Sequence, residues 1–143
     1  MSLFNVFNVS GSALNAETIR LNTTASNLAN ADSVNGDATK VYRARHPVFQ
    51  AMMDDSEAGI DDSGASTGVR VLGVVESTAP PTRQYQPNHP LADKDGYVYT
   101  SNVNSIEETA NMISANRSFS TDVEAINTAR DLLLKTISMG QGS

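Results

Sequence analysis

Two histidines, His46 and His89, each precede a proline, and an Asp93-Lys94-Asp95-Gly96 run follows the second. These are the residues whose types could hold a metal. Tetrahedral zinc needs His, Cys or carboxylate ligands at close spacing. No third ligand stands at such spacing, so both histidines read as surface or turn residues. If Gly96 were the turn glycine of a calcium loop, Leu91 and Asn102 would hold its first and last positions. Neither supplies the acid required there, and the run reads as a turn into a strand. Glu107 with Glu108, and Asp122 with Glu124, are acids close in sequence. Near neighbours on a helix point in different directions, so these read as solvated faces. There is no G-x-S-x-G and no phosphate loop. With no cysteine, there is no thiol nucleophile, thiolate metal site or disulfide. No catalytic, cofactor-binding or metal-ligating residue is assigned. The expectation is a protein that is not an enzyme and takes no cofactor.

The elements carry more information than these polar residues. Phe7, Leu14, Leu21 and Leu28 recur every seven positions. A row of smaller residues after Phe4, namely Gly11, Thr18 and Ala25, runs three positions ahead of each. This spacing predicts a helix from about Leu3 to Ala29, stopped by Asp32, Ser33, Asn35 and Gly36. Gly11 inside it costs roughly 1 kcal/mol relative to Ala. Either the helix is weak there or another backbone comes close. At the other end Met112, Phe119, Ile126 and Leu133 also repeat by seven, with Thr109, Asn116, Val123, Arg130 and Ile137 as the partner row. Ser105 with Glu108 matches a capping box, and the predicted helix runs from about Ser105 to Ser138. Between the helices, 41–45, 69–75, 82–86 and 97–100 read as short strands, and five prolines forbid one broad sheet.

The predicted fold is therefore mainly α with a small β-rich insert. The long N- and C-terminal helices pack as an antiparallel coiled coil around a central irregular, β-hairpin-like region. Residues 1–31 and 104–143 form the terminal-helix domain. Residues 32–103 form the insert, with a flexible acidic loop at 54–67 holding five of the 16 acids.

Charge says how such helices are used. The chain carries 10 Lys+Arg and 16 Asp+Glu in 143 residues, a net charge of −6, which lacks the basic footprint of a nucleic-acid binder. No apolar run approaches the roughly 18 residues of a membrane span, and the N-terminus lacks the pattern of a secretory signal. Asn, Ser and Thr number 41 against 26 charged residues. The first 30 residues hold only Glu17 and Arg20 as charges, with Asn8, Asn15, Asn22, Asn27 and Asn30 on non-seam positions. A helix facing bulk water shows a charged remainder. This one is built to meet other protein.

Ala25-Ser26-Asn27-Leu28-Ala29-Asn30-Ala31 resembles the Asn-Leu-Ala-Asn element in the first helix of bacterial flagellar axial proteins. Glu107-Glu108-Thr109-Ala110-Asn111-Met112-Ile113-Ser114-Ala115-Asn116-Arg117-Ser118-Phe119 resembles their C-terminal partner motif. The central segments 43–49, 85–98 and 102–103 and the ending 134–141 are similar to the proximal-rod type within that family. After Asn30, many relatives continue with Thr-x-Gly-aromatic; here Ala31-Asp32-Ser33-Val34-Asn35-Gly36 runs on instead, a departure from distal rod and hook proteins.

The resemblance implies a structural subunit of the flagellar rod that transmits torque from the rotor ring to the distal rod and hook around an export channel. Implied partners are copies of itself, other rod proteins, the rotor (MS) ring or rod-base adaptor, and the flagellar type III export apparatus. Nucleic acid and membrane insertion are not implied. The implied location is the basal-body rod in the periplasm, reached without a cleaved signal. The implied assembly interface combines Phe4, Phe7, Leu14, Leu21, Asn27, Leu28 and Asn30 with Met112, Arg117, Phe119, Val123, Ile126, Leu133 and Ile137. Another rod subunit or rod-base adaptor is the neighbouring alternative. A small hydrolase or an effector of another type III machine are alternatives of different classes.

Overall fold

The computed structural model describes residues 3–53 and 66–140. Its elements are α1 (Leu3–Ala29), β1 (Val34–Asn35), β2 (Arg45–Met53), β3 (Ser66–Glu76), β4 (Thr82–Tyr85), β5 (Tyr97–Thr100) and α2 (Ser105–Gly140). Both helices start at the residues that the seven-residue spacing predicts, and α2 runs two residues further than expected. The acidic loop lies outside the described residues at 54–65, while Ser66 and Thr67 are already strand.

Two corrections concern the fold class. The chain is mixed α and β rather than mainly α: helix takes about half and strand about a fifth. A coiled coil between α1 and α2 does not appear among the described residues. The burial of α1 gives the reason. Its most buried positions are Ser10, Ala16, Thr24 and Asn27, while Phe7, Leu14, Leu21 and Leu28 are half-buried. Knobs-into-holes packing needs two large apolar rows facing each other. Here small and polar residues take the inner positions, and one of them, Asn27, bonds the first residue of β2.

Contacts divide the chain into two compact units. The first comprises Met1–Ile19, Val48–Gly73 and Ala115–Ser143. In it the Val69 amide donates to Ser12 Oγ at 3.0 Å, while the Ser12 hydroxyl donates to Val9 O. Gly68, with φ +146°, lets β3 come this close, because a Cβ there would stand 2.5 Å from Ser12 Oγ. At Gly11 neither alternative appears: a Cβ there would meet nothing within 4 Å, and α1 passes through it unbroken. Ala115 and Ala129 are the buried residues of α2 in this unit.

The second unit comprises Arg20–Pro47 and Val74–Ser114. Its sheet has the order β1-β5-β4, with Val34 opposite Thr100 and Thr82 also opposite Thr100, both pairings antiparallel. Val98 of β5 is fully buried, and every residue of β4 is exposed. The Arg83 guanidinium lies 3.5 Å from the centre of the Tyr97 ring, and Tyr85 packs edge-on against that ring at 5.1 Å. The Asp93–Gly96 run is a turn: Asp93 Oδ1 accepts the amides of Asp95 and Tyr97 and leads the chain into β5. His89 Nδ1 accepts the Leu91 amide, and His46 is exposed on β2.

β2 and β3 form a separate two-stranded sheet. The first residue of β2, Arg45, pairs with the last of β3, Glu76, at 2.9 Å, so the strands run antiparallel. The strand expected at 41–45 begins only at Arg45 and continues through Pro47. A two-stranded sheet leaves each strand one outer edge, where a proline costs no ladder bond.

Candidate assembly interface

The Asn-Leu-Ala-Asn element sits at the end of α1, and its two asparagines do different work. Asn27 is 1% exposed. Its Oδ1 accepts the Arg45 amide at 2.9 Å, and its Nδ2 donates to the Arg45 carbonyl at 2.8 Å. The side chain therefore reads both backbone groups of one residue, as a neighbouring strand would. Oδ1 also accepts the Tyr42 hydroxyl at 2.9 Å. With its proton committed there, Tyr42 accepts from Ser26 Oγ at 3.2 Å. Arg45 lies over the Tyr42 ring at 5.5 Å. Asn30 turns back on its own helix: its Nδ2 donates to Ser26 O at 2.8 Å and satisfies a carbonyl of the last turn.

A third asparagine repeats the device. Asn102 Oδ1 accepts the Ala44 amide and its Nδ2 donates to the Ala79 carbonyl, both at 2.8 Å. Asn104 then caps α2, its Oδ1 accepting the amides of Ile106 and Glu107. The cap expected at Ser105 is thus one residue earlier, with Glu107 rather than Glu108 three residues on. Glu108 is 4% exposed.

The outward faces of the helices carry a second set of residues. Ile106 is 83% exposed, Met139 72%, and Ile113, Leu132, Leu134 and Ile137 at least 50%. On α1, Asn8, Gly11, Asn15, Thr18, Asn22 and Ala25 are all exposed and uncharged. In the first unit an open groove of about 450 Å³ runs between Val6 and the Ala125, Thr128, Ala129 and Leu132 side of α2.

Of the residues named from sequence, Phe7, Leu14, Leu21, Leu28, Asn30, Met112, Phe119, Ile126 and Leu133 are half-buried. Arg117, Val123 and Ile137 are exposed. Phe4 lies on α1, with its side chain outside what is described. Asn27, placed at the interface from sequence, is inside the chain. The α2 row of Met112, Phe119, Ile126 and Leu133 does face inward, but its partner row is Glu108, Ala115, Asp122 and Ala129. The row Thr109, Asn116, Val123, Arg130 and Ile137 faces out. Sequence reasoning missed Asn102 and Asn104; the signal available was their position just before the second heptad pattern. Among the described residues no group of three or more His, Cys, Asp or Glu could hold a metal ion, and no helix is long and apolar enough to cross a membrane.

Comparison with known proteins bears on both ends of the chain. Residues 7–36 match the family model described as flagella basal body rod protein, and residues 94–139 match that of the flagellar basal body rod FlgEFG protein C-terminal region. The flagellar basal-body rod protein FlgC of Salmonella typhimurium is 46% identical over 141 residues, covering 99% of this chain and 100% of the relative. FlgC of Yersinia enterocolitica is 46% identical over 142 residues, and FlgC of Buchnera aphidicola from Schizaphis graminum is 38% identical over 144, with the same coverage.

Proposed function

The chain belongs to the FlgC family of flagellar basal-body rod proteins, and on that premise we propose that it takes the proximal station in the rod. It is a structural subunit of the basal-body rod and not an enzyme. In this reading it passes torque from the rotor ring to the distal rod and hook. Its helices pack among copies of itself and other rod proteins around the export channel. It works in the periplasmic space and travels there through the flagellar type III apparatus.

The observation that carries the reading is the surface of α2. Six large apolar side chains of one 36-residue helix are at least half exposed in the single chain. Large apolar side chains left exposed along one helix support a role in protein interaction. Arg117, Val123 and Ile137 stay within the proposed interface, as do the half-buried Phe7, Leu14, Leu21 and Leu28. Asn27 supports it from within by holding β2 to α1.

Deleting the gene should abolish motility and leave basal bodies without a completed rod; swimming cells would refute the reading. The FlgEFG match at 94–139 favours one second reading, a different station in the same axial assembly. Site-specific cross-linking separates the two: a proximal subunit couples to the rotor ring or its rod-base adaptor, a more distal one does not.

A further inference from the structure

Asn35 is followed by Gly36, and no other asparagine of the chain precedes a glycine. Asparagine is among the chemically labile residues of proteins, and this pairing is where its lability is greatest. Glycine has no Cβ, so nothing shields its amide nitrogen or restricts its backbone. That nitrogen can attack Cγ of the Asn side chain. The new N–Cγ bond closes a five-membered imide. The Cγ–Nδ2 bond breaks, and ammonia leaves with the proton given up by the Gly36 nitrogen. Water then opens the imide. Cleavage of the N–Cγ bond leaves aspartate. Cleavage of the bond to the backbone carbonyl carbon leaves isoaspartate, whose main chain runs through Cβ and Cγ and is one atom longer. The step consumes water, releases ammonia and needs no oxidant or reductant.

The fold both requires this labile bond and restrains it. A Cβ on Gly36 would clash with the Leu91 carbonyl oxygen, so glycine is needed there. Asn35 is the second residue of β1 and stands opposite Tyr99 of β5. Beside it the Ser101 amide donates to the Ser33 carbonyl at 3.1 Å. The Asn35 side chain is tied as well, its Oδ1 accepting the Asp37 amide at 3.0 Å. Cyclisation needs Cγ to swing over the Gly36 nitrogen and the backbone to leave its extended, paired form. Both movements are blocked while β1 lies on β5. We propose that Asn35-Gly36 is a self-modification site gated by the fold, closed in the folded chain and open when β1 is free. Either product sets a carboxylate two residues from Asp37. Isoaspartate also inserts an atom where Asn35 must face Tyr99 while Gly36 sits under Leu91. A chain modified before folding cannot rebuild this edge, so the bond acts as a clock on the unfolded chain.

The test uses the full chain, kept warm at mildly alkaline pH, either folded in buffer or unfolded in urea. Peptide mass mapping reads loss of the Asn35 amide, and isoaspartate methyltransferase labelling reads the isomer. Loss at Asn35 should be several times faster in the unfolded sample and should there exceed that at any other asparagine. Equal rates, or faster loss in the folded chain, would overturn the gate. An unfolded chain that keeps Asn35 while other asparagines change would overturn the site. The consequence is read after the urea is removed. Aged chain should refold with a thermal midpoint lowered in proportion to the isoaspartate it carries. Asn35→Gln adds a methylene that slows ring closure, and after the same ageing it should refold as its unaged self does. A loss in Asn35→Gln as large as in the native sequence would overturn the part assigned to Asn35. None of these readouts depends on the rod reading, which a motile deletion strain would remove by itself.

Discussion

At the scale of single residues, asparagine does here what a strand or a cap does elsewhere. A primary amide carries a donor and an acceptor side by side, so Asn27 can satisfy both backbone groups of Arg45 and still accept from Tyr42. Asn27→Ala should leave these three groups without partners, at about 1–3 kcal/mol for each one that water does not reach. We expect a loss of roughly 3 kcal/mol, read by urea denaturation. Asn27→Asp is a sharper test. It keeps the acceptor but sets a carboxylate oxygen against the Arg45 carbonyl, and should destabilise comparably at neutral pH despite its near-identical size. Asp37 gives the clearest titration. The Thr39 hydroxyl, the Thr39 amide and, more weakly, Lys40 hold its carboxyl below the usual carboxylate range. The folded state therefore favours the ionised form. That contribution is present above the unfolded pKa and is lost as pH falls through the folded one. Thr39→Val should move the Asp37 midpoint upward in an NMR titration; an unchanged midpoint would show that Thr39 is not the cause.

At the scale of elements, the bounds of both helices were legible in the sequence and their inner faces only partly so. Large residues recurring by seven announce a helix wherever they point. They do not say which adjacent row is buried, because the inner positions here are Ser10, Ala16, Thr24, Ala115 and Ala129, whose small side chains leave no apolar signal. β2 was hidden for a similar reason. His46-Pro47 and Gln50-Ala51-Met52-Met53 lack the β-branched residues that mark a strand, and pairing with the Val-rich β3 imposes the conformation. The end of α1 was legible as a motif, but not the inward turn of Asn27. The start of α2 was legible, but its capping residue was misplaced by one, since Ser105 and Asn104 both suit a cap. That difference is testable. Asn104→Ala should cost about 1 kcal/mol, while Ser105→Ala should be nearly neutral. A loss at Ser105 with none at Asn104 would restore the cap to Ser105. Gly36 gives a second element-scale test. A Cβ there would clash with the Leu91 carbonyl oxygen, a backbone atom that cannot rotate away. Gly36→Ala should therefore displace the turn before β5 and lower the thermal midpoint, whereas Gly11→Ala, with nothing near it, should raise helix stability by up to about 1 kcal/mol.

At the scale of the molecule, interior and surface point to one conclusion. Among the described residues the buried apolar ones are Ala16, Ala31, Val41, Ala44, Val98, Ala115 and Ala129. Most of these are alanines, which bring little area out of water. The larger side chains Phe7, Leu14, Leu21, Met112, Phe119 and Leu133 stop half-buried. Fully burying a side chain of this size is worth about 1.5–3 kcal/mol, so much of the available stabilisation is unrealised in one chain. Neighbours in a rod would complete it. Two results should follow together. First, Leu21→Ala and Phe119→Ala should lower the stability of the isolated chain by less than the roughly 2–5 kcal/mol typical of full core truncation, yet should abolish rod assembly and motility. Second, the isolated chain should show less helix by circular dichroism than its two helices imply, and should gain helix on assembly, as in coupled folding and binding. An isolated chain with full helix content and protease-resistant ends would show that α1 and α2 are stable without neighbours. The half-buried rows would then be a finished surface, and the stabilisation credited to the assembly would have to lie elsewhere in the chain.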